Sequence, residues 1–525
     1  MAKPGQREST GRHAFLVAFG ILVTRLVGLV RTRVFSHYFG LVTGPADAWN
    51  SAFRIPNFLQ TLFGEGVLSA SFIPVYARLL AQKDEEEAGR VAGAVAAMLA
   101  LVVSIIVLIG VLATPYFIDL IAAGYQGATR ELTIQLVRIL FLGAGLLAMS
   151  AWCLGILNSH RRFFMSYTAP VAWNLVMIGT LVGLGGSRNL SDLAVALAWG
   201  SVAGSGLQFA VQLPSVLRLV RRLRVRFDAT SAHVREVMRN FLPVFFSRGV
   251  VQISAYVDVW MASWLPTGAV TGLSNAQLLY TLPVSLFGMS VSAAELPAMS
   301  SILGEQAEVA GYLRDRLNRG LRQIAFFIVP SAMAFLALGD VITGGLLVTG
   351  RFTRANAVYV WGILAGSAVG LLASTLGRLY SSTYYALRDT RTPLRYAVIR
   401  VALTTGLGYL CAFPLPVWLG IERRWGVAGL TASAGIAGWV EFTLLRRTLN
   451  RRIGRTGLPV SLTAKLWFSA AVAAAVAWAI KLSIGTPRPE IAAVVILIPY
   501  GIVYFATAFL LRIEECTQAL RRLKR

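Results

Sequence analysis

Apolar runs of membrane length recur along the whole chain. Each spans about 20 residues, which is the length that an α-helix needs to cross a bilayer, and polar or Gly/Pro-rich turns separate them. The pattern predicts an all-α polytopic membrane protein. We place fourteen spans near residues 13–38, 47–78, 89–114, 132–157, 164–185, 190–217, 238–264, 272–302, 319–343, 355–386, 394–414, 425–448, 462–483 and 490–512.

Composition excludes several other classes of protein. Hydrophobic residues make up 56% of 525 and charged residues 14%, which no soluble domain of this size shows. The net charge of +25 is dispersed over short loops without an aromatic-basic module, so we predict no nucleic-acid partner. The three cysteines form neither a metal-binding spacing nor a disulfide framework, and no metal site is predicted. The polar N-terminus lacks a cleavage site, so the first helix is expected to be retained.

The basic loops predict the orientation in the membrane. They follow the even-numbered spans, as in 218–226 and 446–455, whereas loops such as 265–275 are poor in Lys and Arg. By the positive-inside rule, both termini are cytoplasmic and the protein lies in the cell inner membrane. The excess of positive charge also attracts anionic membrane lipids.

Two matching segments indicate an internal repeat. Pro74 and Pro297, each in a similar short motif, are 223 residues apart, and Pro170 and Pro393 have the same separation. Two matches at one offset predict two six-span lobes of the same orientation, residues 1–226 and 227–455. Residues 456–525 then hold spans thirteen and fourteen and a basic cytoplasmic tail, and folding is not expected to depend on this added pair.

The densest group of buried charges lies in the first two spans. Arg25 and Arg31 flank Gly28, at which the helix can bend so that both point into one cavity. Charge at mid-bilayer is costly, so it usually faces a watery cavity or a partner. The alternative is that these charges form structural ion pairs between spans one and two. The predicted substrate-binding residues are Arg25, Arg31, Asp47, Arg54, Asn57, Glu65, Asp258 and Glu295.

The charge is distributed unequally between the two halves. Residues 249–313 contain no Lys or Arg, and Asp258 and Glu295 are among the few acids there. The first half is therefore predicted to grip an anionic headgroup, and the chain is predicted to be a transporter rather than an enzyme. It has no phosphate-binding loop for ATP, so the driving force is expected to be the membrane potential or an ion gradient, without a cofactor.

Several segments resemble the MurJ (MviN) family of lipid II flippases in the MOP transporter superfamily. They are residues 24–31, 47–48, 55–57, 65–66, 72–75, 155–159 and 385–393. The resemblance implies two six-helix lobes around a central cavity, and a groove on the last two helices for a polyprenyl tail. It implies export of undecaprenyl-diphosphate-linked disaccharide-pentapeptide for peptidoglycan synthesis by alternating access. We expect a monomer that works alongside cell-wall synthesis enzymes.

By the same resemblance, Arg25 and Arg31 fall on cavity arginines of the family and Asp47 on a nearby acid. The chain departs from the pattern at Gln60 and around Leu278, where the family has further arginines. A flippase for another polyprenyl-diphosphate-linked oligosaccharide, such as an O-antigen unit, therefore remains an alternative.

Two other classes of protein fit the sequence less well. A multidrug exporter of this fold is disfavoured, because its cavity needs acids for cationic drugs rather than arginines. A membrane glycosyltransferase or phosphatase would need an acidic metal motif or a catalytic His/Asp cluster, and the sequence shows neither.

Overall fold

The computed structural model describes residues 4–63, 68–220, 223, 225–227, 231–300, 306–485 and 488–523. These ranges are helical over most of their length and contain no β-strand, which confirms the predicted all-α class. The chain forms two compact units. The first unit is Met1–Gly268 with Thr349–Arg351, and the second unit is Ala269–Val348 with Phe352–Arg525. The lobe boundaries inferred from the repeat, at residues 226 and 455, stay a prediction.

The first unit contains eleven described α-helices. Polar caps begin several of them: Asp84 Oδ1 accepts a hydrogen bond from Glu87 N, and Asn189 Oδ1 accepts one from Asp192 N, as N-cap side chains do. The helices are α1 Pro4–Phe39, α2 Gly44–Ala52, α3 Arg54–Gln60, α4 Leu68–Ser71, α5 Ile73–Ala81, α6 Glu85–Leu112, α7 Thr114–Ile121, α8 Gly127–Ser159, α9 Phe163–Leu184, α10 Leu190–Leu219 and α11 Ala232–Ser263.

The second unit contains ten described α-helices, a π-helical segment at Val284–Met289 and a 3₁₀ turn at Arg423–Trp425. The α-helices are α12 Ala269–Pro283, α13 Ser290–Ser300, α14 Gln306–Leu347, α15 Arg354–Ala386, α16 Arg391–Ala412, α17 Pro414–Trp418, α18 Gly426–Ile453, α19 Val460–Ser483, α20 Pro489–Leu510 and α21 Glu514–Leu523.

Eleven helices in the described ranges are long and apolar enough to cross a membrane. They coincide with the predicted spans three to six and eight to fourteen. Single helices, α1 and α11, occupy the positions of spans one and seven, whereas span two is divided into the short helices α2 to α5. The total of fourteen crossings therefore stays a prediction.

The second and eighth predicted spans are interrupted at equivalent points. Residues 61–63 are π-helical in the first unit, and the π-helical segment Val284–Met289 begins 223 residues later. This is the same offset as between the repeated prolines. Because π-helical turns are rare and tend to lie at functional positions, a shared interruption is consistent with a duplicated architecture.

Helix α14 is broken, and partners outside it satisfy its freed carbonyl groups. Pro330 lies inside the helix and has no N–H for the carbonyl of Phe326, and Leu338 is non-helical (φ −128°, ψ 17°). The hydroxyl of Tyr504, from α20, donates to Phe326 O at 2.6 Å. A carbonyl without a partner is costly in hydrocarbon, so this bond supports the break.

Three further side chains donate to α14 carbonyls. The donors lie on α20, α19 and α15. The bonds are Tyr500 Oη to Pro330 O at 2.7 Å, Trp478 Nε1 to Ala337 O at 2.9 Å and Trp361 Nε1 to Phe335 O at 3.1 Å. The pair α19–α20 is therefore part of the packing of the second unit.

Candidate functional site

Arg31 stacks on an aromatic row in the first unit. Its guanidinium carbon lies 4.8 Å from the centroid of the Phe53 ring. The rings of the row come from α1, α2, the residue between α2 and α3, and α9. Their centroid distances are 4.4 Å for Phe39–Phe35, 6.1 Å for Phe35–Trp49, 5.0 Å for Trp49–Phe53 and 5.4 Å for Phe53–Trp173.

The row fixes the position of the guanidinium of Arg31. A cation over an aromatic face is stabilised by about 0.5–1 kcal/mol at an exposed site and by more where water is excluded. The N–H donors of a guanidinium lie in its own plane. That plane is suited to bidentate hydrogen bonds with phosphate oxygens.

Arg25 lies on the same helix, six residues before Arg31, and its side chain is exposed. The two positions are about 9 Å apart along the axis of an ideal helix. Helix α1 runs without a break through Gly28, and a Cβ atom built on Gly28 would meet no atom of the described residues within 4 Å.

Arg54 begins α3 and faces α11. Its electrostatic neighbours include Asp258 and Tyr256 of α11. The ring of Tyr256 meets the ring of Phe58 edge to face at 5.9 Å, so α3 and α11 touch at this point within the first unit. The structure thus brings together Arg54 and Asp258, which are far apart in sequence. Asn57, one turn after Arg54, is exposed.

Asp47 is almost fully buried and is engaged by the backbone. Its Oδ2 accepts a hydrogen bond of 2.7 Å from the N–H of Gly268, a residue with φ +96° that follows α11. Its own carbonyl accepts one of 3.3 Å from the hydroxyl of Tyr125, which also contacts Ser51 Oγ at 2.8 Å. Asp47 therefore ties the segment that follows α11 to α2, a contact that the sequence pattern does not predict.

The bond between Asp47 and Gly268 predicts a difference between two substitutions. Asp47→Ala should destabilise the first unit by about 1–3 kcal/mol, because it leaves a buried N–H without an acceptor. Asp47→Asn retains an acceptor oxygen, so it should lower the free energy of unfolding less than Asp47→Ala does. Thermal unfolding of the purified protein in detergent measures both. Equal melting temperatures for the two variants would contradict the assignment.

The two remaining predicted site residues are Glu65 and Glu295. Glu65 lies outside the described residues, and so does the side chain of Gln60. Glu295 belongs to the second unit, where its Oε2 lies 2.7 Å from Arg316 Nε in an ion pair between α13 and α14. Roles for Glu65 and Glu295 at the substrate stay predictions.

The segment 385–393, one of the motifs noted in the sequence, organises a loop of the second unit. Asp389 accepts hydrogen bonds from Thr392 N at 3.0 Å, Thr392 Oγ1 at 2.7 Å and Arg452 Nη1 at 2.7 Å. Burial alone would raise the pKa of Asp389, but these donors lower it to about 2. Its stabilising contribution is therefore present above the unfolded pKa of about 4 and is lost as the pH falls towards 2.

Comparisons with known proteins identify the family. A family model described as "Lipid II flippase MurJ" matches residues 35–489. The chain belongs to the MurJ family. A Rhizobium tropici protein described as a probable lipid II flippase MurJ is 30% identical over 524 residues, which cover 96% of this chain and 95% of that protein. A Burkholderia cenocepacia lipid II flippase MurJ is 28% identical and covers 82% of each chain.

Solved structures share the fold. A MurJ structure in an inward closed conformation aligns with a TM-score of 0.78 at 24% identity and covers 95% of this chain and 99% of its own. An inward-facing multidrug transporter of the MATE family, in the MOP superfamily, aligns with a TM-score of 0.64 at 16% identity, over 84% of this chain and 98% of its own. The predicted membership of the MurJ family and its MOP-type fold are confirmed.

The arrangement in this MurJ-family chain is suited to binding an anion. Arg31 is held by the aromatic row, Arg25 is exposed on the same helix, and Arg54 lies beside Asp258. In the described ranges, no group of three or more His, Cys, Asp and Glu side chains is placed to hold a metal ion.

Proposed function

We propose that this chain is a flippase that moves lipid II, the undecaprenyl-diphosphate-linked peptidoglycan precursor, from the cytoplasmic to the outer leaflet. Membership of the MurJ family supports the substrate. The observation that carries the proposal is the stacking of Arg31 on Phe53, because it presents a pre-positioned guanidinium in the first unit.

In the proposed mechanism, the diphosphate of the substrate binds Arg25 and Arg31, and Asn57 offers an amide to the headgroup. Arg54, held beside Asp258, supplies a third positive charge, and Asp47 positions α2 without touching the substrate. The binding site then opens alternately to the two sides of the membrane. Moving two negative charges outward across an interior-negative potential is favourable by roughly 5 kcal/mol per 100 mV. The cycle therefore needs no cofactor and no catalytic group.

We also propose that the protein acts as a monomer in the inner membrane, with both termini cytoplasmic, alongside the enzymes that use its product. The basic loops support this orientation, since they follow the even-numbered spans. The polyprenyl tail is proposed to stay in lipid along α19 and α20, whose outward faces carry exposed apolar side chains such as Phe468, Ile498 and Ile502.

A second candidate substrate is another polyprenyl-diphosphate-linked oligosaccharide. It is favoured by Gln60 and Leu278, which stand where the family pattern has arginines. Fewer cationic contacts would suit a headgroup that is held more by its sugars than by its diphosphate.

The test is to deplete the protein in its own host and to identify the lipid-linked precursor that accumulates on the cytoplasmic face. Accumulated lipid II, with loss of its accessibility at the outer surface, is the expected result. Re-expression of the chain should restore that accessibility. Accumulation of a different polyprenyl-linked glycan, with normal lipid II exposure, would reject lipid II in favour of the second candidate.

A further inference from the structure

Arg138 is an exposed arginine within a membrane-spanning helix of the first unit. It is the twelfth residue of α8, about 16 Å from the start of an ideal helix, and it lies inside the predicted span 132–157. No hydrogen bond, ion pair or ring contact joins its side chain to any of the described residues. Charge at such a depth is costly unless a partner meets it. Its counter-charge therefore has to come from a bound molecule.

Arg138 lines a groove of about 490 Å³ between α8 and α10. Trp199, the tenth residue of α10, lies on the other side of this groove and is 52% exposed. Both helices are even-numbered spans, so on the proposed orientation both begin at the outer surface. Helical side chains lean towards the N-terminus, and tryptophan is enriched at membrane interfaces. The groove therefore lies at the level of the outer headgroups.

The exposed faces of the two helices become apolar further along the chain. Leu142 follows Arg138 by about one turn, and Leu207 and Val211 follow Trp199 by about two and three turns. Each of these three side chains is more than 40% exposed. Aliphatic side chains of this kind are suited to contact with hydrocarbon rather than with water. The groove is therefore open to the lipid and continues as a surface for an acyl chain.

The groove carries charges of both signs in a fixed order. Glu131 also lines it, is exposed, and precedes Arg138 by two turns, or about 10 Å along an ideal helix. In the part of the chain that the structure describes, these two side chains form no ion pair with each other. Arg130, which neighbours Glu131, is bound by Asp119 through hydrogen bonds of 2.7 and 2.9 Å. The groove thus presents a carboxylate towards the outer surface and a guanidinium deeper in the membrane.

We propose that this groove binds phosphatidylethanolamine from the outer leaflet. The lipid phosphate accepts charge-assisted hydrogen bonds from Arg138, and the ammonium group, which lies further out in the headgroup, donates to Glu131. An acyl chain lies along Leu142 and Leu207, beside Trp199. The bound lipid joins α8 to α10 and stabilises the first unit.

The order of the two charges distinguishes this lipid from others. The quaternary ammonium of phosphatidylcholine has no N–H group to donate to Glu131. The headgroup of phosphatidylglycerol has no positive charge, so it leaves the carboxylate of Glu131 without a counter-charge. An aminophospholipid supplies a partner for each of the two side chains.

The test measures lipid binding to the purified, delipidated full-length protein in detergent. Native mass spectrometry and thermal unfolding are recorded with phosphatidylethanolamine, phosphatidylcholine and phosphatidylglycerol of identical acyl chains. We expect phosphatidylethanolamine to bind about fivefold or more tightly than the other two and to raise the melting temperature most. Equal binding of the three lipids would show an unselective lipid surface, and tighter binding of phosphatidylglycerol would show an anion site. Either result would overturn the proposal.

Two variants remove the two charges separately. Arg138→Gln should weaken phosphatidylethanolamine binding about tenfold, because it removes the charged donor to the phosphate. Glu131→Gln should leave phosphatidylcholine binding unchanged but should lower phosphatidylethanolamine binding to the same level, because it removes the acceptor for the ammonium group. Both side chains are exposed, so both substitutions should be compatible with folding.

The matched control is Arg188→Gln, since Arg188 is an exposed arginine between α9 and α10 that does not line the groove. It should bind phosphatidylethanolamine as the unmodified protein does. If Arg138→Gln proves unstable, Glu131→Gln decides the matter alone. A folded Glu131→Gln protein that still prefers phosphatidylethanolamine to phosphatidylcholine would place the headgroup elsewhere and reject the proposal.

Discussion

Arg31→Ala is expected to abolish lipid II export while the protein still inserts into the membrane. The substitution removes a guanidinium that offers a bidentate grip on phosphate oxygens, and each charge-assisted hydrogen bond contributes about 1.5–3 kcal/mol. Loss of two such bonds should lower transport by roughly a hundredfold or more. The measurement is lipid II accessibility at the outer surface in cells that make only the variant.

Two companion variants make this prediction specific. Arg31→Lys should restore part of the transport, because an ammonium keeps the charge but lacks the planar fork and stacks less well on Phe53. Arg188→Ala is the matched control, since Arg188 is an exposed arginine in the same unit but outside the candidate site. Normal growth and export with Arg31→Ala would refute the proposed anion grip.

Truncation after Pro459 is expected to destroy the folded state of the second unit. It removes Trp478, Tyr500 and Tyr504, which donate to carbonyls of the broken helix α14. In membranes such bonds contribute roughly 1 kcal/mol each, and the loss of packing along α14 adds to this. The structure therefore argues against the expectation from the sequence that folding does not depend on α19 and α20. The measurement is the yield of monodisperse protein and its melting temperature in detergent.

Single substitutions distinguish the contribution of the hydrogen bonds to α14 carbonyls from that of helix packing. Trp478→Phe and Tyr504→Phe keep the aromatic volume but remove one donor each, so each should lower the melting temperature by a few degrees with normal yield. Truncation after Leu511 removes only α21 and the tail and is the control for a shortened chain. A Pro459 truncation that is as stable as the full-length protein would show that α19–α20 are an independent addition.

The sequence alone was sufficient for the fold class, the approximate spans, the internal offset and the family. Hydropathy over 20 residues reports membrane insertion directly, because every backbone group in lipid must be satisfied within a helix. The arginines of α1 could also be recognised, since charge inside an apolar run is costly wherever its helix packs. These properties depend on local sequence, so they can be predicted without knowing which helices pack against one another.

The tertiary structure decided the relationships among distant residues. It placed Asp258 beside Arg54, gave Asp47 a backbone partner at Gly268, and set Arg31 over Phe53. It also showed that α14 is broken and that the last two helices satisfy its carbonyls. Lipid tails are as apolar as leucine, so hydropathy does not distinguish a lipid-facing helix surface from a packed one. Only the packing itself determines which polar groups meet.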